Sequence, residues 1–135
     1  QALLMEVRQM ADKIKVKLVR GLAGKREEHI KAVRALGLKK RGDERILADD
    51  PRTWGNITKA WYLVGVAYKI DFSGDIPVVE RDLSEENDRK VLVKNGVYTN
   101  GKDVYYFSRI PDLEDFLRKK GYTRYKNWKG EIVEL

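Results

Sequence analysis

Lys13-Ile14-Lys15-Val16-Lys17-Leu18-Val19-Arg20 leads directly into Gly21-Leu22-Ala23-Gly24-Lys25-Arg26, and that into a helical pattern closing on Leu36-Gly37-Leu38-Lys39-Lys40-Arg41. In the first segment Ile14, Val16 and Leu18 fall on one face and Lys13, Lys15 and Lys17 on the other. That is the period of two of a half-buried strand. The lysine row reads in two ways. It keeps an outer face wet, or Lys15 and Lys17 form one edge of a phosphate-binding surface.

The loop after the strand resembles two known phosphate grips and matches neither. A nucleotide P-loop needs four residues between its glycines and a Ser or Thr after its lysine. Here two residues separate Gly21 from Gly24, and Arg26 follows Lys25. A KH-type Gly-x-x-Gly turn clamps an RNA backbone, but it joins two helices, and this one joins a strand to a helix. What survives is physical: glycines let a backbone approach closely, and a helix N-terminus offers free N–H donors.

The helix is expected from about Lys25 to Leu36, with Gly37 as its left-handed cap. His29, Ile30, Val33 and Leu36 share one face, and Glu27, Lys31 and Arg34 the other. His29 is the only histidine, which favours a packed or capping role over a catalytic one. The exit carries three consecutive cations, Lys39-Lys40-Arg41, which read as an RNA contact. Arg45-Ile46-Leu47 suits a short strand. Asp50 suits an N-cap with Pro51 at the first position of a second helix, reaching about Trp61. On that helix Arg52, Asn56 and Lys59 form a polar-cationic arc opposite Trp54, Ile57 and Trp61. Residues 62–66 read as a closing strand.

The 135 residues allow one domain, or a small domain with an appendage, and 42% of them are apolar. No apolar run approaches the roughly 20 residues needed to span a bilayer. There is no cysteine, which removes disulfides, thiolate nucleophiles and cysteine metal sites together; no metal, cofactor or small-molecule substrate is expected. No convergent set of nucleophile, base and oxyanion donors appears, so an enzyme is not expected. The net charge of +7 is unevenly placed: residues 13–66 hold 14 Lys and Arg against 6 Asp and Glu, whereas residues 67–135 hold 13 of each. A local cationic excess suggests a face for a polyanion.

These elements, in this order, resemble the bacterial type of the large-subunit ribosomal protein L-thirty family. The carriers are Lys15-Val16-Lys17-Leu18-Val19-Arg20, the Gly24-Lys25 turn, His29, Val33-Arg34-Ala35-Leu36-Gly37-Leu38-Lys39-Lys40, Asp50-Pro51, Gly55, Ile57, Lys59 and Tyr62-Leu63-Val64. The resemblance implies a non-catalytic α/β (α+β) fold of ferredoxin-like type, an open-faced β-α-β-α-β sandwich with two helices on a three-stranded antiparallel sheet. It implies large-subunit rRNA as partner, on Arg20, Lys25, Arg26, His29, Arg34, Lys39, Lys40, Arg41 and Lys59. It also implies a different second-helix register, burying Thr53, Ile57 and Ala60 and turning Trp54 and Trp61 to a flank. Trp54 stands where the family has an arginine, and Asn56 where it has an apolar residue. A free-standing regulatory RNA-binding module is the alternative reading.

The chain therefore divides into an N-terminal extension (1–12), the rRNA-binding domain (13–66) and a C-terminal extension (67–135). In the last, residues 73–90 read as loop or linker, Asn95-Gly96 and Asn100-Gly101 signal a hairpin or small meander near 90–107, and Pro111-Asp112 starts a short helix ending at Gly121. Tyr122, Tyr125 and Trp128 among Arg124, Lys126 and Lys129 could stack on unpaired bases, but with a neutral extension they are expected to pack its own core or a neighbouring ribosomal protein. The extension is expected to cover Trp54 and Trp61. An appendage of this kind resembles those of mitochondrial ribosomal proteins, which leans localisation toward a mitochondrial ribosome. The loop and the basic turn flank one helix, which suggests a two-point RNA clamp.

Overall fold

A computed structural model describes residues 13–84 and 91–135. The strand β1 (Lys13–Leu18) lies between β2 (Glu44–Ala48) and β3 (Val64–Asp71), antiparallel to both. Between these strands run α1 (Glu27–Ala35) and α2 (Pro51–Lys59). The order β-α-β-α-β and the antiparallel trio β2-β1-β3 are those of the expected sandwich.

Local chemistry explains the helix ends. At α1, Glu27 and Glu28 occupy the first turn and Arg34 the last, each favourable to the helix dipole. Gly37, at φ +84°, lets its own N–H and that of Leu38 return to the carbonyls of Arg34 and Val33. At α2, the Asp50 carboxylate accepts from the Thr53 N–H at 2.8 Å, with Pro51 opening the helix.

The helices bury Ala32, Val33, Leu36, Ile57 and Ala60 against Ile14, Val16 and Leu18 of β1 and Val64 and Val66 of β3. Each fully buried Ile or Leu there contributes about 1.5–3 kcal/mol. Ile57 and Ala60 are wholly buried, while Trp61 is 46% exposed. The family register of α2 is thus the one that forms. A face built on Trp54, Ile57 and Trp61 is corrected: a helix of nine residues turns too few times for periodicity to separate the two registers.

The C-terminal segment continues this sheet. β3 runs through residues 66 and 67 and pairs along one edge with β1 and then with β4 (Val78–Arg81). Its other edge takes β7 (Val104–Phe107). Beyond β7 come β6 (Val97–Thr99) and β5 (Leu92–Lys94), and β4 is followed by β8 (Arg124–Lys126) and β9 (Ile132–Glu134) in one nine-stranded sheet. Asn95 (φ 54°) and Gly96 (φ +78°) make the tight turn between β5 and β6. The helix α3 (Ile110–Lys119) adds Leu113 and Leu117 to the same apolar cluster as α1 and α2.

Three expectations change. Residues 78–81, read as loop, are a strand, and the rest of that reading at 85–90 lies outside the described residues, as does the 1–12 extension. The division at 66/67 falls inside one strand, so the two segments share a sheet and a core. The sheet face away from α1 and α2 is not open at β1, because Lys15 and Lys17 are 2% and 1% exposed.

Candidate nucleic-acid interface

The end of β1 gathers the basic elements. The Leu18 carbonyl accepts from the Gly42 N–H at 2.8 Å, and the Leu18 N–H donates to the Asp43 carbonyl at 2.9 Å. The turn bearing Lys39, Lys40 and Arg41 is therefore stitched to the last residue of β1. Its shape is fixed by the Asp43 carboxylate, which accepts from the N–H groups of both Lys39 and Lys40 at 2.9 Å. All three cationic side chains stand exposed.

The loop after β1 leaves from the same end. The N–H groups of Val19 and Arg20 both donate to the Leu63 carbonyl, where α2 hands over to β3. Lys59 closes α2 four residues earlier and is exposed. His29 Nδ1 meets the Tyr62 hydroxyl at 2.5 Å, which ties the first turn of α1 to that junction. The Lys25 ammonium lies 5.8 Å from the Tyr62 ring centre. Arg20, Lys25, Arg26, Lys39, Lys40, Arg41 and Lys59 thus converge on one end of the sheet. The two flanks of α1 do not form separate clamps, because the chain after Gly37 returns to the end of β1.

Other expected contacts are placed differently. Arg34 is exposed on the last turn of α1, and Arg52 is exposed in the first turn of α2, about two helical turns from Lys59, with Asn56 half-buried between. Glu27 and Glu28 surround the free N–H groups of α1, so a phosphate seated there would meet two carboxylates. The loop cations, rather than the helix N-terminus, suit an anion.

Lys15 and Lys17 are corrected as RNA contacts. The Lys15 ammonium donates to Asp82 at 2.7 Å and to the Ser84 carbonyl at 2.9 Å, and it lies 3.1 Å from Glu44. Lys17 reaches Glu44 at 3.4 Å and sits 5.2 Å from the centre of the Tyr106 ring. Neither ammonium faces solvent. A buried charge requires a partner, and the partners come from β2 and from beyond β4, which alternation along β1 does not reveal.

Asp49 and the aromatic residues of the extension have structural partners. Asp49 accepts from Trp54 Nε1 and from Arg81 at 2.8 Å, and the Arg81 guanidinium lies 5.0 Å from the Trp128 ring centre. The extension also touches Trp61, through the Arg109 guanidinium 4.4 Å from its ring. Tyr125 is buried, Trp128 packs against Tyr68 and Tyr122 stacks on Phe72, so these aromatics pack within the chain, on the core that the two segments share. Among the described residues, no group of His, Cys, Asp and Glu could hold a metal, and no helix is long and apolar enough to cross a membrane.

The family model for Ribosomal protein L30p/L7e matches residues 14–64, from β1 to the first residue of β3, the stretch that carries this basic end. Over 123 residues the chain is 76% identical to the large ribosomal subunit protein uL30 of Aquifex aeolicus, covering 91% of this chain and 98% of that protein. The chain belongs to the L30p/L7e family. Two further uL30 proteins match a shorter stretch: that of Persephonella marina is 65% identical over 54 residues, 40% of this chain and 92% of its own length. The uL30 of a Sulfurihydrogenibium species is 54% identical over an equal stretch. The match to the Aquifex protein leaves only 12 of the 135 residues outside it, so that L30 protein also carries the C-terminal extension. The lean toward mitochondria is thereby corrected, since an extended L30 chain occurs in a bacterium.

Proposed function

We propose that this L30 chain is a structural constituent of the large ribosomal subunit and binds its rRNA through the cationic end of the sheet. The observation that carries the reading is the convergence there of Arg20, Lys25, Arg26, Lys39, Lys40, Arg41 and Lys59 on a scaffold stitched by backbone hydrogen bonds. Phosphate contacts position such a protein without demanding sequence readout. A turn held by Asp43 presents its cations with little ordering left to do on binding. His29 contributes by bracing Tyr62, and Arg34 and Arg52 flank the main contact.

The extension serves the same particle in another way. It is neutral overall, and it leaves Leu92, Val93 and Ile132 about half exposed on the outer strands β5 and β9. Apolar strand edges of this kind suit neighbouring ribosomal proteins. The role is one of assembly and bracing, not of catalysis.

The test is sedimentation of a cell lysate through a gradient. The protein should travel with large subunits at moderate salt and leave them on RNase treatment. Recovery in the light fractions alone would end the proposal. In parallel, replacing Lys39, Lys40 and Arg41 together by Ala should release the protein from purified large-subunit rRNA, and undiminished retention would remove that turn from the interface.

A further inference from the structure

We propose that the cleft between the β1–β3 unit and the extension receives an unpaired RNA base, stacked on Trp61. The cleft encloses about 580 Å³ and is lined by Arg20, Trp61, Tyr98, Arg109, Lys119 and Lys120 among others. Its volume lies within the roughly 300–1,000 Å³ of small-ligand sites and is far too small for a duplex.

Trp61 is the decisive group. It lies two residues past Lys59 and remains 46% exposed, although the family register frees it from any duty in the core. The Arg109 guanidinium sits 4.4 Å from its ring centre, and the Tyr62 ring meets it edge-on. A second such pair stands in the same cleft: Arg20 lies 5.7 Å from the Tyr98 ring centre and donates to the Tyr98 hydroxyl. Aromatic rings backed by guanidinium groups are stacking platforms for bases of any identity.

Charge selects RNA over a peptide as occupant. Four cations line the cleft against two carboxylates, Asp112 and Asp115, and each carboxylate already meets a cation, Arg109 at 3.0 Å and Lys119 at 3.2 Å. The wall is therefore net positive. Arg20 belongs both to this cleft and to the cationic end of the sheet, so one strand can leave a phosphate there and turn its base inward. The assignment rests on the rRNA reading above.

The experiment uses the full chain, a single-stranded oligoribonucleotide of about six nucleotides, and a hairpin duplex with the same number of phosphates. The single strand should quench tryptophan emission. Trp61→Ala should weaken its binding roughly 5- to 150-fold, the value of one stacked base. Trp61→Phe should retain most of the affinity, which separates stacking from misfolding, and duplex binding should stay unchanged in both variants. Equal single-strand affinity in Trp61→Ala and the parent chain overturns the proposal. If that result accompanies loss of rRNA retention on substitution of Lys39, Lys40 and Arg41, the cleft assignment fails while the rRNA reading stands. If neither set of substitutions matters, the rRNA reading fails with it. Trp61 shielded from acrylamide in assembled subunits, but neither quenched by nor crosslinked to RNA, would make the cleft a protein site and overturn the proposal as well.

Discussion

The Lys15 ammonium and the Asp82 carboxylate lie 2.7 Å apart in the interior, although 67 positions separate them in the chain. Lys15 belongs to the strand that the family shares, and Asp82 follows β4 of the extension. The pair is thus a charged clasp between the two halves. Burial by itself pushes the Asp82 carboxyl up. Hydrogen bonds from Lys15 and Ser84, together with the Lys15 charge, outweigh it and hold the group below its ordinary 3.8.

A carboxyl depressed in the folded state contributes stability that is present above its unfolded pKa and lost as pH falls through the folded one. The parent chain should therefore lose stability below about pH 4, and Asp82→Asn should show a shallower acid limb. At neutral pH that variant should be less stable by roughly 3 kcal/mol, the low end for breaking a buried pair, because Glu44 still faces Lys15 at 3.1 Å. Urea unfolding at several pH values measures both effects. Identical acid limbs would show that the clasp does not titrate as described.

Lys15 and Lys17 should separate from the surface cations in a salt titration. Alanine at Lys39, Lys40 and Arg41 should reduce the slope of log K against log salt for rRNA by about 2 to 3, since three phosphate contacts are lost. Lys15→Gln and Lys17→Gln should leave the slope unaltered and lower the melting temperature instead. A slope that falls in the buried-lysine variants would return those groups to the interface.

Gly65→Ala should be costly for a reason of space alone. A Cβ at Gly65 would come within 2.7 Å of the Tyr106 Cβ and 3.3 Å of its carbonyl carbon, neither of which can move without its strand. Overpacking of this kind costs about 1–3 kcal/mol. Denaturant unfolding should show the midpoint falling with little change in slope. An unchanged midpoint would mean that β3 and β7 part easily.

Two buried phenols should set the alkaline limit. Burial raises Tyr68 well above the ordinary 10.0, with Arg81 opposing and Asp49 and Tyr125 adding. Burial also raises Tyr125, helped by its hydrogen bond to Glu114 at 2.9 Å. A raised folded pKa gives stability that is complete below the unfolded value and lost as pH climbs past it. Stability should thus decline above about pH 10, and tyrosinate absorbance should show these two phenols ionising only with unfolding. Ionisation of all seven tyrosines with the fold intact would contradict it.

What the sequence made legible follows from how local each signal is. Alternation over residues 13–18, the Asp50-Pro51 start and the Asn95-Gly96 turn each act within a few positions, and the strand, the helix start and the turn all formed, though the strand is buried on both faces. β4, β8 and β9 span three or four residues and exist because neighbouring strands offer an edge, so nothing in their own residues announces them. The burial of Lys15 depends on a partner 67 residues away, and Trp61 is a cleft wall only once α3 is in place. Long-range pairing decides such positions, and a periodic pattern carries no information about it.

β3 has consequences for how a protein of this family can grow. A chain ending at residue 66 would leave one edge of β3 open from its start to Val66, the residue that now meets Phe107. Such an edge is a mould: any appended segment able to lie straight finds its hydrogen-bonding partners already in place. The extension can thus be understood as a graft on an existing margin. Enlargement by this route leaves Lys39, Lys40 and Arg41 exposed and meets the cationic end at Arg20, which donates to the Tyr98 hydroxyl of β6.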